Sequence, residues 1–120
     1  MNLYLTGECD WLETTPPSLI PRLMGREDFQ PAAYLGTYYY RVNVNRPPFD
    51  DPRVRKALAL SIDRNAICKN ISRAGEIPAF SFVPPGMPGY SGVEMERPDH
   101  EDPQEGYKLR LAEAKRLLQE

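Results

Sequence analysis

Thirteen prolines in 120 residues constrain this chain more than any other feature. Each proline fixes φ and removes a backbone donor, so it ends or kinks whatever regular element it enters. They stand at positions 16, 17, 21, 31, 47, 48, 52, 78, 84, 85, 88, 98 and 103. The longest stretches they leave clear are 53–77 and 104–120, and helices are expected there. Pro52 follows Asp50 and Asp51, and Pro103 follows Asp102, which suits a proline in a first helical turn.

Beyond Pro52, the residues Val54, Ala57, Leu58, Ser61 and Ile62 recur at helical spacing. Asp63 is placed to cap a second helix from Arg64 to about Ile71, whose Ile67 and Ile71 share a face. The last helix carries a stripe of Tyr107, Leu111, Ala114 and Leu118, and no Gly or Asn closes it before the final residue. A helix that runs to the last residue predicts a section of something longer. A shorter, distorted helix is expected from Pro16 to Met24, with Thr15 as its cap. Cys9, Trp11 and Leu12 suggest a short buried strand.

The clearest strand signal is Thr37 to Val44. Tyr38, Tyr40, Val42 and Val44 fall on one face, expected to be the core face, and Thr37, Tyr39, Arg41 and Asn43 on the other. The second face reads either as ordinary solvent exposure or as a ligand-facing wall. Residues 72–102 are expected to be mostly irregular, with Phe80, Phe82 and Val83 as a short extended piece. A loop of that length is either functional or supported by something else. The fold class that follows is α+β, with helices packed on a small mixed sheet and residues 1–120 forming a single partial domain.

Charge and motifs exclude several functions. Fifteen basic against seventeen acidic residues leave a net charge of −2, a poor match for a phosphate backbone, so no nucleic-acid partner is expected. No apolar run approaches the ~20 residues needed to span a bilayer, and the N-terminus does not read as a signal peptide. No nucleophile elbow, P-loop, zinc-protease or dinucleotide motif occurs, and the one histidine makes most acid–base sets unworkable. The chain does not read as an enzyme, and no cofactor or metal is expected. Cys9, Cys68 and His100 could offer only an improvised zinc site. The two thiols read as buried or partly buried, and a disulfide between them stays open.

Residues 34–64, from Tyr-Leu-Gly-Thr-Tyr-Tyr-Tyr-Arg through Phe-Asp-Asp-Pro-Arg-Val-Arg-Lys-Ala-Leu to Ser-Ile-Asp-Arg, resemble the signature region of the extracytoplasmic solute-binding proteins that serve ABC importers, in the oligopeptide and dipeptide class. Gly7-Glu8-Cys9-Asp10-Trp11, Gly75-Glu76-Ile77-Pro78-Ala79, Val83-Pro84-Pro85-Gly86 and Ala112 to Leu118 are similar to other family segments in the expected order. The resemblance implies a piece of the second lobe of a two-lobe, periplasmic-binding-protein-like fold. Such proteins are non-catalytic, periplasmic or otherwise extracytoplasmic, and close over a peptide that they pass to ABC permease subunits. It implies ligand-facing roles for Tyr34 and Tyr39. Arg41 shares the face of Tyr39 where some relatives carry an acidic residue, and Arg73 stands next to the position where relatives present a lysine. Gly36 replaces a cysteine that some members use in a disulfide.

Asp51, Arg53, Arg55, Asp63 and Arg64 are expected to be structural, an ion-pair network fixing the two helices. The alternative to transport is a freestanding protein-interaction domain that kept the lobe's fold. Apolar faces left uncovered on the strand and last helix predict self-association of the isolated chain.

Overall fold

The computed structural model describes residues 1–32, 34–90 and 97–119. Its helical segments, in chain order, are α1 (Asn2–Leu5), α2 (Ile20–Leu23), α3 (Pro52–Ser61), α4 (Arg64–Ala66) and α5 (Pro103–Leu117). From α4 the chain continues through Ile67–Ser72 in wider, π-helical turns. Two units are formed. One comprises Met1–Ala33 and Ala66–Ile77, the other Tyr34–Asn65 and Pro78–Glu120. Gly92, in the expected irregular stretch, and Glu120, the end of the expected last helix, lie outside the described residues.

Both long helices begin where an aspartate precedes a proline. The Asp51 carboxylate accepts from the backbone N–H of Arg53 at 2.7 Å, and Asp102 accepts from those of Gln104 at 2.7 Å and Glu105 at 3.1 Å. Each cap satisfies donors that a helix start leaves open. Arg53 and Arg55 sit in the first turn of α3, where the helix dipole disfavours cations. Their guanidiniums turn back and are compensated there: Arg53 pairs with Asp51 at 2.6 Å, and Arg55 donates to the carbonyls of Phe49 and Asp50 at 2.7 and 3.0 Å.

These caps carry a pH dependence. Hydrogen bonds from the side chain and the backbone N–H of Arg53 hold the Asp51 carboxyl below the usual carboxylate range. The backbone N–H groups of Glu105 and Gln104 do the same for Asp102. A carboxyl lowered only in the folded state contributes stability above its unfolded pKa, and that contribution is lost as pH falls through the folded value. Thermal melts should therefore show a flat Tm above a pH of about 5 and a falling Tm below about 4. The Asp51→Asn, Asp102→Asn double variant, which still caps, should make the acid limb shallower, the remainder coming from Asp28 and Glu113, whose carboxyls are also held low by arginine hydrogen bonds.

The core of the second unit is the face between α3 and α5. Ala57, Leu60, Ala114 and Leu117 form one buried cluster, with Leu60 completely excluded from solvent. Two of its four members are alanines, small enough to let α3 and α5 pack closely. Tyr107 donates its hydroxyl to the Ser61 carbonyl at 3.1 Å, a C-terminal carbonyl that the helix itself does not use.

The buried stripes are rotated from the expected ones. On α3 it is Leu60 that is enclosed, while Leu58 is exposed. On α5 the buried positions are Gly106, Arg110, Ala114 and Leu117, and Leu118 is exposed. An arginine thus holds a core position, which no apolar stripe can reveal. Its guanidinium reaches Asp99 at 3.3 Å, and Gly106 leaves room for it, since a Cβ there would lie 3.1 Å from Arg110 and 3.2 Å from Asp99.

Other expectations are corrected. Among the described residues no strand forms, so the small mixed sheet is absent from them. A strand needs a neighbour for its N–H and C=O groups. Among the described residues, no backbone hydrogen bond is made by Tyr38 to Val42. The 80–83 piece is a series of bends, not a strand. The segment around Cys9 and Trp11 is neither a strand nor buried at Trp11, which is exposed. The helix expected from Pro16 is reduced to α2, because Pro16 and Pro17 form a turn before it. Ile20 and Leu23 are nevertheless its buried residues. Ile67 and Ile71 do share a stretch of helical turns, but both are exposed. Cys9 and Cys68 are free thiols. Burial, with Glu76 nearby, pushes the Cys68 thiol up.

Candidate ligand-binding site

In the second unit, Tyr34 to Val44 is open chain that presents its aromatic side chains to solvent. Alternation by two survives locally even without a sheet. Tyr38 and Tyr40 meet edge to face at 5.7 Å, while Tyr39 turns away from them and lies against Phe82 at 5.0 Å. Tyr34 is 89 % exposed and folds its ring over Gly36, where any Cβ would collide with it. A side chain at position 36 would therefore swing the Tyr34 ring away. Tyr39 is 51 % exposed, and Arg41 is exposed as well. These rings are large apolar surfaces with a polar tip, the kind of group that contacts a ligand at little entropic cost.

Phe82 had no signal as a site residue in the sequence beyond its place in a proline-rich loop. Its position follows from Phe80. The guanidiniums of Arg97, Arg64 and Arg110 stand 3.8, 5.1 and 5.2 Å from the Phe80 ring centre. Each is within the range of a cation–π contact. Arg64 also donates to the Ala59 carbonyl at 2.7 Å, and Arg97 and Arg110 both bond Asp99, so the cations are held from several sides. Partial burial, together with Arg110 and Arg97 nearby, lowers the Arg64 pKa from its ordinary value. Ser81 donates its hydroxyl to the Val83 carbonyl at 2.6 Å and closes the turn that carries Phe82.

Arg73 belongs to the other unit. It ends the π-helical turns in a left-handed conformation, φ 63°, with its N–H bonded to the Cys68 carbonyl at 3.0 Å. Its side chain donates to the Asn70 carbonyl at 2.6 Å. The same unit contains a cleft of about 260 Å³ walled by Tyr4, Trp11, Glu13, Asp28 and Phe29. Asp28 is bonded there by Arg26 at 2.6 and 2.7 Å and by Tyr4 at 2.7 Å, and those bonds hold its carboxyl far below the usual range. Among the described residues, no group of three His, Cys, Asp or Glu is placed to hold a metal. No helix among them is long and apolar enough to cross a membrane.

The model of the bacterial extracellular solute-binding proteins, family 5 middle, matches residues 1–120. The chain belongs to this family. The family it belongs to is one of extracellular, non-catalytic solute-binding proteins. It is similar to the periplasmic oligopeptide-binding protein OppA of Salmonella typhimurium, 36 % identical over 99 residues, which cover 80 % of this chain and 18 % of that protein. It is also similar to OppA of Escherichia coli, 33 % identical over 123 residues, covering 100 % of this chain and 22 % of that one. The probable deoxycholate-binding periplasmic protein YgiS of Escherichia coli is 34 % identical over 125 residues, covering 99 % and 21 %. The chain therefore spans about a fifth of the length of these curated relatives. No solved structure matches it.

Proposed function

We propose that this chain is part of the second lobe of a two-lobe oligopeptide-binding protein, which delivers peptides to the permease of an ABC importer. The observation that carries the reading is the solvent-facing tyrosine segment, 34–40, in a chain of the solute-binding family whose curated relatives include oligopeptide-binding proteins. Tyr34, Tyr39, Arg41 and Arg73 contact the ligand, Arg41 from the face of Tyr39 and Arg73 next to the position where relatives present a lysine. Asp51, Arg53, Arg55, Asp63 and Arg64 are structural, fixing the two helices, and do not touch the ligand. In the full lobe, Thr37 to Val44 pairs with strands supplied from outside this chain, and residues 1–120 form one partial domain of it. The apolar surface meanwhile left open on the isolated chain favours self-association.

The mechanism needs no chemistry. A ligand held between two lobes shifts the open–closed equilibrium by as much as it binds the closed state better. Calorimetry on the full-length product of the gene that encodes this chain, titrated with alanine tri- and tetrapeptides, tests the reading. Micromolar or tighter binding is expected there, and little or none for the 120-residue chain, which has only part of the cleft. A full-length product that binds no peptide but takes up deoxycholate would overturn it. A gene with no coding sequence beyond these residues would favour the freestanding interaction domain.

A further inference from the structure

We propose that Phe82 is a ligand-contacting residue. With Tyr39 it forms an aromatic wall for a bulky apolar side chain of the bound peptide, and the arginine clamp on Phe80 positions it. The inference rests on the peptide-binding reading above.

Phe82 is 69 % exposed and yet ordered against Tyr39, edge to face with an interplanar angle of 67°. A phenyl ring in a free loop would have no reason to stay there, since one edge contact barely offsets the entropy of ordering it. The order comes from two residues upstream. Phe80 is gripped by Arg64, Arg97 and Arg110, drawn from α4, from the segment before α5 and from α5 itself. Arg110 is 1 % exposed, so the grip is anchored in the core of the unit. The Ser81 turn then delivers Phe82 to Tyr39. The result is a preorganised aromatic pair with its faces still in water, which is how hot-spot surfaces are built.

A peptide is the fitting occupant because the wall includes Tyr39, which the reading above places against the peptide, and Phe82 lies 5.0 Å from it. Tyr38 to Val42 make no backbone hydrogen bond among the described residues. Pairing with strands of the full lobe takes up those groups, and an extended peptide running past them places alternate side chains in pockets. The aromatic pair is such a pocket wall.

The test uses the full-length gene product and four tripeptides: Ala-Ala-Ala, Phe-Ala-Ala, Ala-Phe-Ala and Ala-Ala-Phe. Phe82→Ala should weaken at least one Phe-containing peptide by about tenfold and leave Ala-Ala-Ala unchanged, and Phe82→Tyr should retain wild-type affinity. Unchanged affinities for all four peptides in Phe82→Ala would overturn the proposal while leaving peptide binding intact. A uniform loss across the panel with a lowered Tm would also overturn it, by assigning Phe82 a structural role. Failure of the wild type to bind any of the four would remove the peptide reading and this inference with it.

Discussion

Leu60→Ala is expected to destabilise the chain by about 2–5 kcal/mol, the range for removing a large aliphatic side chain from a core. Leu60 has no exposure and is surrounded by Ala57, Ala114 and Leu117, so the cavity left behind has few side chains able to fill it. Two of those three neighbours are alanines without rotamers to rearrange, which places the expectation toward the upper part of the range. A typical domain is stable by only about 5–15 kcal/mol, so the loss is a large fraction of the total. Urea denaturation is the measurement. The midpoint should fall with little change in slope, because the folded and unfolded surfaces are nearly the same. Leu58→Ala, two residues earlier and on the exposed side of α3, should cost well under about 1 kcal/mol.

Arg110→Ala should cost about 3 kcal/mol, through loss of a large buried side chain, its ion pair with Asp99 and one face of the Phe80 clamp. Burial of this arginine also has an unfavourable side. Among the described residues, its Nε and Nη2 atoms are buried without hydrogen-bond partners. Burying polar groups in this way costs free energy. Arg110→Met keeps most of the volume and removes those unpaired donors. It should therefore recover most of the loss, ending within about 1 kcal/mol of wild type. Urea midpoints of the two variants separate the contributions. If methionine were as damaging as alanine, the charge itself, and not the packing, would be holding Phe80 and Asp99.

How much of this was legible beforehand depends on the range of the interactions. Asp51-Pro52 and Asp102-Pro103 announced α3 and α5 because a cap bonds N–H groups two or three residues away. Alternation separated Tyr39 from Tyr38 and Tyr40, but the side expected to face the core does not: Tyr38 is 86 % and Tyr40 75 % exposed against 51 % for Tyr39, because what covers a face is supplied by other parts of the fold. The buried stripes were only half legible. Periodicity identified two helices with apolar faces, but which positions turn inward is set by the partner helix, and the answer moved by about one residue on each. Arg110 could not be foreseen as a core residue. Its enclosure depends on Phe80, Asp99 and the missing side chain at Gly106, which come from separate parts of the unit.

The amino-acid sequence by itself determined where helices start, where prolines forbid regular structure, and which family the chain belongs to. These are local or linear properties, written in neighbouring residues and their order. Tertiary structure alone decided that Leu60 and not Leu58 is enclosed, that an arginine sits in the core, and that Phe82 stands beside Tyr39. It also decided that a strand-like sequence forms no strand among the described residues, because a ladder requires a second strand to complete its hydrogen bonds.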